Sequence, residues 1–386
     1  MRDIERALRE SLSARAETYR PADVDAAERR FLERRSRHRI FRAGAAVAFA
    51  GAAAVGLFAL IQPEVVRDDP IRPAPAPAAL RIADRLDVAD EPLALSVSPG
   101  AVWIASRQAG VVSRIDTETG DIEEMKLPGA SQVAADGEIT WAAGIDRIAR
   151  FDDATGQPAG EYLDTLIIDV PVAPAVDMAV GGRARGGAWA VGSTGCVADL
   201  QDLRNRVCVE PDGFHATDVA TGPAETWLLD GDTGDLHQLH AEPGVNDGRG
   251  VIDGEAPVPT APPGRYADLL ISTVEGRDLL WASGEGGQLL QLDLASGDSM
   301  SSNWADNEYQ GDYLDLAEGY GGVWALIGHE GSDRGEVVRL DVETGEPRGV
   351  AVALSGKPSD IAAGPSGVWV TLRNSNEVVQ IAGPGN

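Results

Sequence analysis

Seven of the eight tryptophans, Trp103, Trp141, Trp189, Trp227, Trp281, Trp324 and Trp369, recur at intervals of 38 to 54 residues. The text around them recurs as well: AVWIASRQAGVVSRIDTETG (101–120) returns as GVWALIGHEGSDRGEVVRLDVETG (322–345). A repeat of this length marks stacked supersecondary units that bury a core only against one another, as in propellers and solenoids. Before each Trp stands an apolar strand with a Gly-containing turn, as at 93–100, 218–222 and 360–364. After it comes a second apolar strand that often ends in Asp: RIDTETG (114–120), RFDDATG (150–156), QLDLASG (291–297) and RLDVETG (339–345). The Asp carboxylate can accept N–H groups inside the turn, and the Gly supplies the positive φ of a tight reversal. QLHAEPG (238–244) and VCVEPDG (207–213) read as degenerate copies, with His240 in the Asp slot.

Each unit thus reads as four strands, one blade. The 307 residues from 80 to 386 divide into seven units of about 44 residues. The Trp has the size and shape to fill the wedge between blades. The seventh unit stops at VVQIAGPGN, after its third strand, while a spare strand, LRIADRLDV (80–88), precedes the first. Pairing these two ends would close the ring and remove open sheet edges. The expected fold is all-β, a seven-bladed β-propeller over 80–386, preceded by a helical segment and one transmembrane helix.

Charge divides the chain. Residues 1–42 hold 12 Arg against 8 acidic residues, whereas the remainder carries a net charge of −32. So acidic a body repels phosphate backbones, which speaks against nucleic acid as a partner. Between the two parts lies AGAAVAFAGAAAVGLFALI (43–61), uncharged throughout and about 29 Å long as a helix. The basic run RRSRHRIFR (34–42) before it places the N-terminus in the cytoplasm and the large part outside. A cleaved signal peptide is the competing reading, but 42 residues make a long and acidic leader. Residues 1–42 are expected to be a basic cytoplasmic helical segment, 43–61 the span, and the Pro/Ala-rich 62–79 an extended stalk. Cys196 and Cys208, the only cysteines, then lie in an oxidising compartment and are expected to pair, with two free thiols as the alternative.

The run of an apolar pair, Gly, Val-Trp and a later V-x-R-[IL]-D-x-x-TG resembles the YVTN and streptogramin B lyase class of seven-bladed propellers, over residues 80–386. In that lyase family catalysis is attributed to His and Glu around a bound magnesium ion. Here His215, His237, His240 and His329 include no Glu-x-His pair. Quinoprotein propellers share the D-x-x-TG turn but follow it with a docking Trp, which DIEEMKL and EPRGVAV lack. The N-terminal 60 residues are similar to membrane-anchored proteins of actinobacteria, some of which bind sigma factors.

Two features vary less predictably than the repeat. Asp177, Asp218, Asp268, Asp315 and Asp360 open the innermost strands of five units, with Ala94 and Gln132 in the other two. They are expected to form a partial ring near one channel mouth, holding a cation or basic ligand or accepting N–H groups of the adjoining blade. SSNWADNEYQGDY carries Trp304, Tyr309 and Tyr313, either an exposed aromatic platform or packing for a long connection. Asp230, Asp232 and Asp235 in DGDTGD read as a hairpin turn rather than a calcium loop, which would need a distal Glu. No cofactor is called for, a divalent cation at the ring aside, and no nucleophile elbow or phosphate loop is present. The expected function is a membrane-anchored extracytoplasmic propeller that binds a protein or small-molecule ligand outside the cell, as sensor or scaffold. Its alternatives are a metal-dependent lyase or hydrolase, and an anti-sigma-like regulator acting through the cytoplasmic N-terminus.

Overall fold

The computed structural model describes residues 80–382, except 161–162, 165–174, 181–187, 193–196, 201–205, 208–214, 223–224, 241–250, 253–265, 285–286, 305–311 and 329–331. Every regular element among them is a β-strand, and these form seven four-stranded antiparallel sheets. The strands of each sheet are here called A to D from the channel outwards. Strand A is Pro92–Ser98, Gln132–Ala135, Ala175–Val180, Ala216–Thr221, Tyr266–Val274, Asp312–Gly319 and Pro358–Gly364 in blades 1 to 7. Consecutive A strands touch in order, and that of blade 7 touches that of blade 1, so the ring is closed.

Closure uses the spare strand. Arg81–Asp87 pairs antiparallel with Glu377–Ala382 and completes blade 7 as its outer strand. Side chains fasten the seam: Arg85 binds Glu377 at 3.1 Å and the Ser355 hydroxyl at 3.0 Å. Arg373 pairs with Glu91, and the Asn376 amide donates to Asp90 at 2.7 Å. Completing one blade from both termini ties the two ends of the ring together through strand pairing, which is the physical reason for the arrangement.

The core consists of seven clusters, one per wedge, and each contains the strand B Trp of one blade with apolar residues of the next. Trp103 packs with Ala142, Ala149 and Phe151 of blade 2, its ring 5.7 Å from that of Phe151. At the closing wedge Trp369 packs with Leu95, Val102, Ile104 and Ile115 of blade 1. All seven are buried, so the repeat in the sequence is the repeat of the wedge.

The D-x-x-[TS]-G turns join strands C and D. Asp116 Oδ1 accepts the Glu118 and Thr119 amides at 2.9 and 3.0 Å, and Gly120 turns the chain at φ 76°. Asp152, Asp293 and Asp341 repeat the motif. Asp230 makes the same bonds in a hairpin between strands B and C, so DGDTGD is a turn. His240 closes strand C of blade 4, as Asp116 does in blade 1.

The expected segments 1–42, 43–61 and 62–79 lie outside the described residues, as do Cys196, Cys208, Tyr309 and His329. No helix of the described residues is long and apolar enough to cross a membrane.

Candidate functional site

Six of the seven A strands carry a register shift at their channel-end start, and in five of these an Asp follows directly. One added residue turns that Asp off the regular pleat. Tyr266 and Tyr313 hold the same place, two residues before Asp268 and Asp315.

The five carboxylates form a chain of joints rather than an open basket. Asp177 Oδ2 accepts the Val219 amide of the next blade at 2.9 Å, and Asp218 Oδ2 accepts that of Leu269 at 2.6 Å. The Leu316 amide lowers the pKa of Asp268 against the burial that raises it, Asp315 Oδ2 accepts the Ile361 amide at 3.3 Å, and Asp360 Oδ2 that of Leu95 at 2.5 Å. Most of these amides also face the carboxylate of their own strand: Val219 faces Asp218 at 2.9 Å, Leu316 faces Asp315 at 2.8 Å and Ile361 faces Asp360 at 2.8 Å. Adjacent carboxylates therefore converge on one N–H. Of the two roles expected for the ring, the backbone joint is the one these bonds display.

The electrostatics follow. The seven A strands carry seven acidic residues, counting Asp312 and Glu318, and no Lys, Arg or His. Burial, then the Asp177 charge, pushes Asp218 well above the usual carboxylate range. Burial and the Asp315 charge do the same to Asp268 and Asp360. Burial also raises Asp315, against hydrogen bonds from Asp360, Ile361, Leu316 and Asp268 that lower it. Among the described residues no group of three or more His, Cys, Asp or Glu side chains is arranged to hold a metal ion.

Of the two readings of Trp304, packing is the one observed. It is 1% exposed and packs with Trp281, Leu316 and Val338 in the wedge between blades 5 and 6, so it offers no exposed platform. Its amide donates to the Gly287 carbonyl at 2.9 Å, which draws the end of strand D inwards.

Other polar joints went unread in the sequence. Between blades 1 and 2, where strand A offers Ala94 and Gln132, Asp153 accepts from Trp103 Nε1 at 2.7 Å and from the Thr140 hydroxyl at 2.8 Å. Arg114 donates to the carbonyls of Asp153 and Ala154 at 3.1 and 2.9 Å. The Ser96 hydroxyl accepts the Ala135 amide at 3.0 Å across the same joint. The signal was a long polar side chain opposite a strand B Trp: Arg114 stands opposite Trp103, and Gln291, opposite Trp281, donates to the Val342 carbonyl of the next blade at 2.7 Å. An open cavity of about 360 Å³ at the closing seam, lined by Asp90, Glu91, Gln108, Arg373, Asn374 and Asn376, also escaped sequence reasoning. Glu91 and Asn376 sit there at φ 60° and 55°, held by the seam hydrogen bonds.

His215 and His237 belong to blade 4, and burial lowers the pKa of His237 against the pull of Asp230 and Asp235.

No family model and no curated protein sequence matches the chain. Solved structures do. The hydrazine synthase of Kuenenia stuttgartiensis aligns over 77% of this chain and 97% of its own at 13% identity, TM-score 0.54. The Cps50 (Swd1) β-propeller domain of Myceliophteria thermophila aligns over 78% and 99% at 9% identity, TM-score 0.57. A chain of a mitotic checkpoint complex aligns over 86% and 100% at 11% identity, TM-score 0.53. Likeness at such identity speaks for the fold: the chain carries a seven-bladed β-propeller.

Proposed function

We propose that this propeller is a binding scaffold, held outside the cell by the 43–61 span, whose loops and outer edges engage a protein or small-molecule partner. The carrying observation is how the inner polar side chains are used. The aspartates that line the channel accept backbone amides of adjoining blades, and so rigidify the ring. A rigid ring with variable loops is a platform for recognition. A chain of a mitotic checkpoint complex is among the similar folds, in keeping with such use. The membrane topology rests on the apolar span and the basic run before it.

Both halves are testable in cells. With Cys196 and Cys208 replaced by Ser, Ser355→Cys should react with a membrane-impermeant maleimide on intact cells and Ser13→Cys only after lysis. The reverse pattern overturns the topology. Photo-crosslinkers at the exposed Ile145 and Val350 should give discrete adducts that persist in Asp268→Asn. Adducts that vanish with Asp268→Asn would move recognition into the channel.

A further inference from the structure

One atom of the aspartate ring has no partner in the hydrogen-bond network. Asp268 Oδ2 is buried and meets no donor. Its flanking strands place no cation beside it. The A strands on either side contribute only acidic or neutral groups: Asp218 from blade 4, and Asp315 and Glu318 from blade 6. Its own strand adds the Tyr266 phenol, and strand B beside it places Ser283 opposite. The nearest cation in sequence on strand B, Arg277, pairs at the far end of the sheet and binds Glu343. Asp315, meanwhile, accepts the Leu316 and Ile361 amides with its two oxygens, as an ionised carboxylate does.

A buried acceptor oxygen beside an ionised carboxylate is unfavourable unless something positive stands between them. A proton on one of the two carboxyls supplies that charge. We infer that Asp268 is a neutral carboxylic acid whose proton sits on Oδ2 and is donated to the Asp315 carboxylate, so that a carboxyl–carboxylate bond closes the joint between blades 5 and 6. One proton is held and no covalent bond is made or broken. The orphaned oxygen becomes a donor, and the Leu316 amide can face both side chains without two full negative charges meeting. Burial and the Asp315 charge act in the same direction on Asp268.

The sign of the pH effect follows. A carboxyl raised above its unfolded value contributes stability that is fully present below that value and is lost as pH rises through the folded pKa. The joint should therefore hold in acid and weaken in alkali.

The test uses the full chain and its isosteric variants. In Asp268→Asn the amide donates to Asp315 and its oxygen accepts the Leu316 amide, so the neutral acid is reproduced without a titrating proton. Its melting temperature at pH 7 should match the parent within 2–3 °C, on the order of a small core change, and should fall less than the parent's as pH rises. The infrared carbonyl band of protonated carboxylic acid should lose one component. Asp315→Asn, which turns an N–H towards backbone donors, should melt lower at every pH. Two results would sink the inference: a metal-free parent that loses stability and regains it with calcium or potassium, or an Asp268→Asn variant that is crippled at pH 7 with its carboxylic acid band unchanged.

Discussion

Two sets of aspartates hold this ring, and they respond to acid in opposite ways. The outer set, Asp116, Asp152 and Asp293, sits in exposed turns, and hydrogen bonds from two or three residues along the chain hold their pKa values down: from the Thr119 amide, the Thr155 side chain and the Ser296 amide first of all. The inner set, Asp218, Asp268, Asp315 and Asp360, is raised, with burial the leading cause each time. The same side chain thus stabilises a turn as a hydrated carboxylate, whereas at a joint burial pushes its pKa upwards. Water supplies the difference: an exposed carboxylate keeps its hydration while accepting amides, whereas a buried one must share its charge with whatever the adjoining blade presents.

The largest test of this contrast removes what both sets stand on. Trp281→Ala, in the wedge beside the Asp268–Asp315 joint, should cost about 3–5 kcal/mol in urea denaturation. A loss under about 1 kcal/mol would mean that the polar joints, and not the wedges, carry the ring. Asp153→Ala should cost about 2–4 kcal/mol, because it strands two buried donors, Trp103 Nε1 and the Thr140 hydroxyl. That variant asks whether an outer joint can match the inner ones where Ala94 and Gln132 replace aspartate. Gly364→Ala should cost about 1–3 kcal/mol, since a Cβ there would lie 2.4 Å from Val97 of blade 1. Gly222 has the same relation to Ile271, and in both cases the glycine stands four residues after the ring Asp. Gly120→Ala, a turn at positive φ with open space around it, should cost only about 1 kcal/mol.

The pH profile is the mildest test and the most direct. Lowered carboxyls contribute stability present above their unfolded pKa and lost as pH falls through the folded one. The raised set loses its contribution as pH rises. Melting temperature should therefore decline on both sides of a plateau. Replacing Asp116, Asp152 and Asp293 together by Asn should flatten the acid limb and leave the alkaline limb. If the alkaline limb flattens instead, the two sets have been assigned the wrong way round.

Much of this was legible in the chain itself. The Trp period gave the number of blades, the unmatched strand 80–88 the closure, and D-x-x-[TS]-G the outer turns, because each depends on residues within one unit or on counting units. The inner carboxylates were visible as a repeat, though their choice between ligand and joint was not. Trp304 stayed open between platform and packing because its neighbours are polar in sequence, while its packing partners, Leu316 and Val338, come from the next blade.

The sequence alone determined every feature whose partners lie a few residues apart, since a turn carboxylate finds its amides wherever the rest of the chain goes. Tertiary structure decided the features whose partners lie a blade away: Trp103 with Asp153 at 50 residues, Asp218 with Leu269 at 51, and Asp360 with Leu95 at 265. Those groups meet only once the ring has closed and excluded water, and exclusion of water is also what raises the pKa of a carboxyl there.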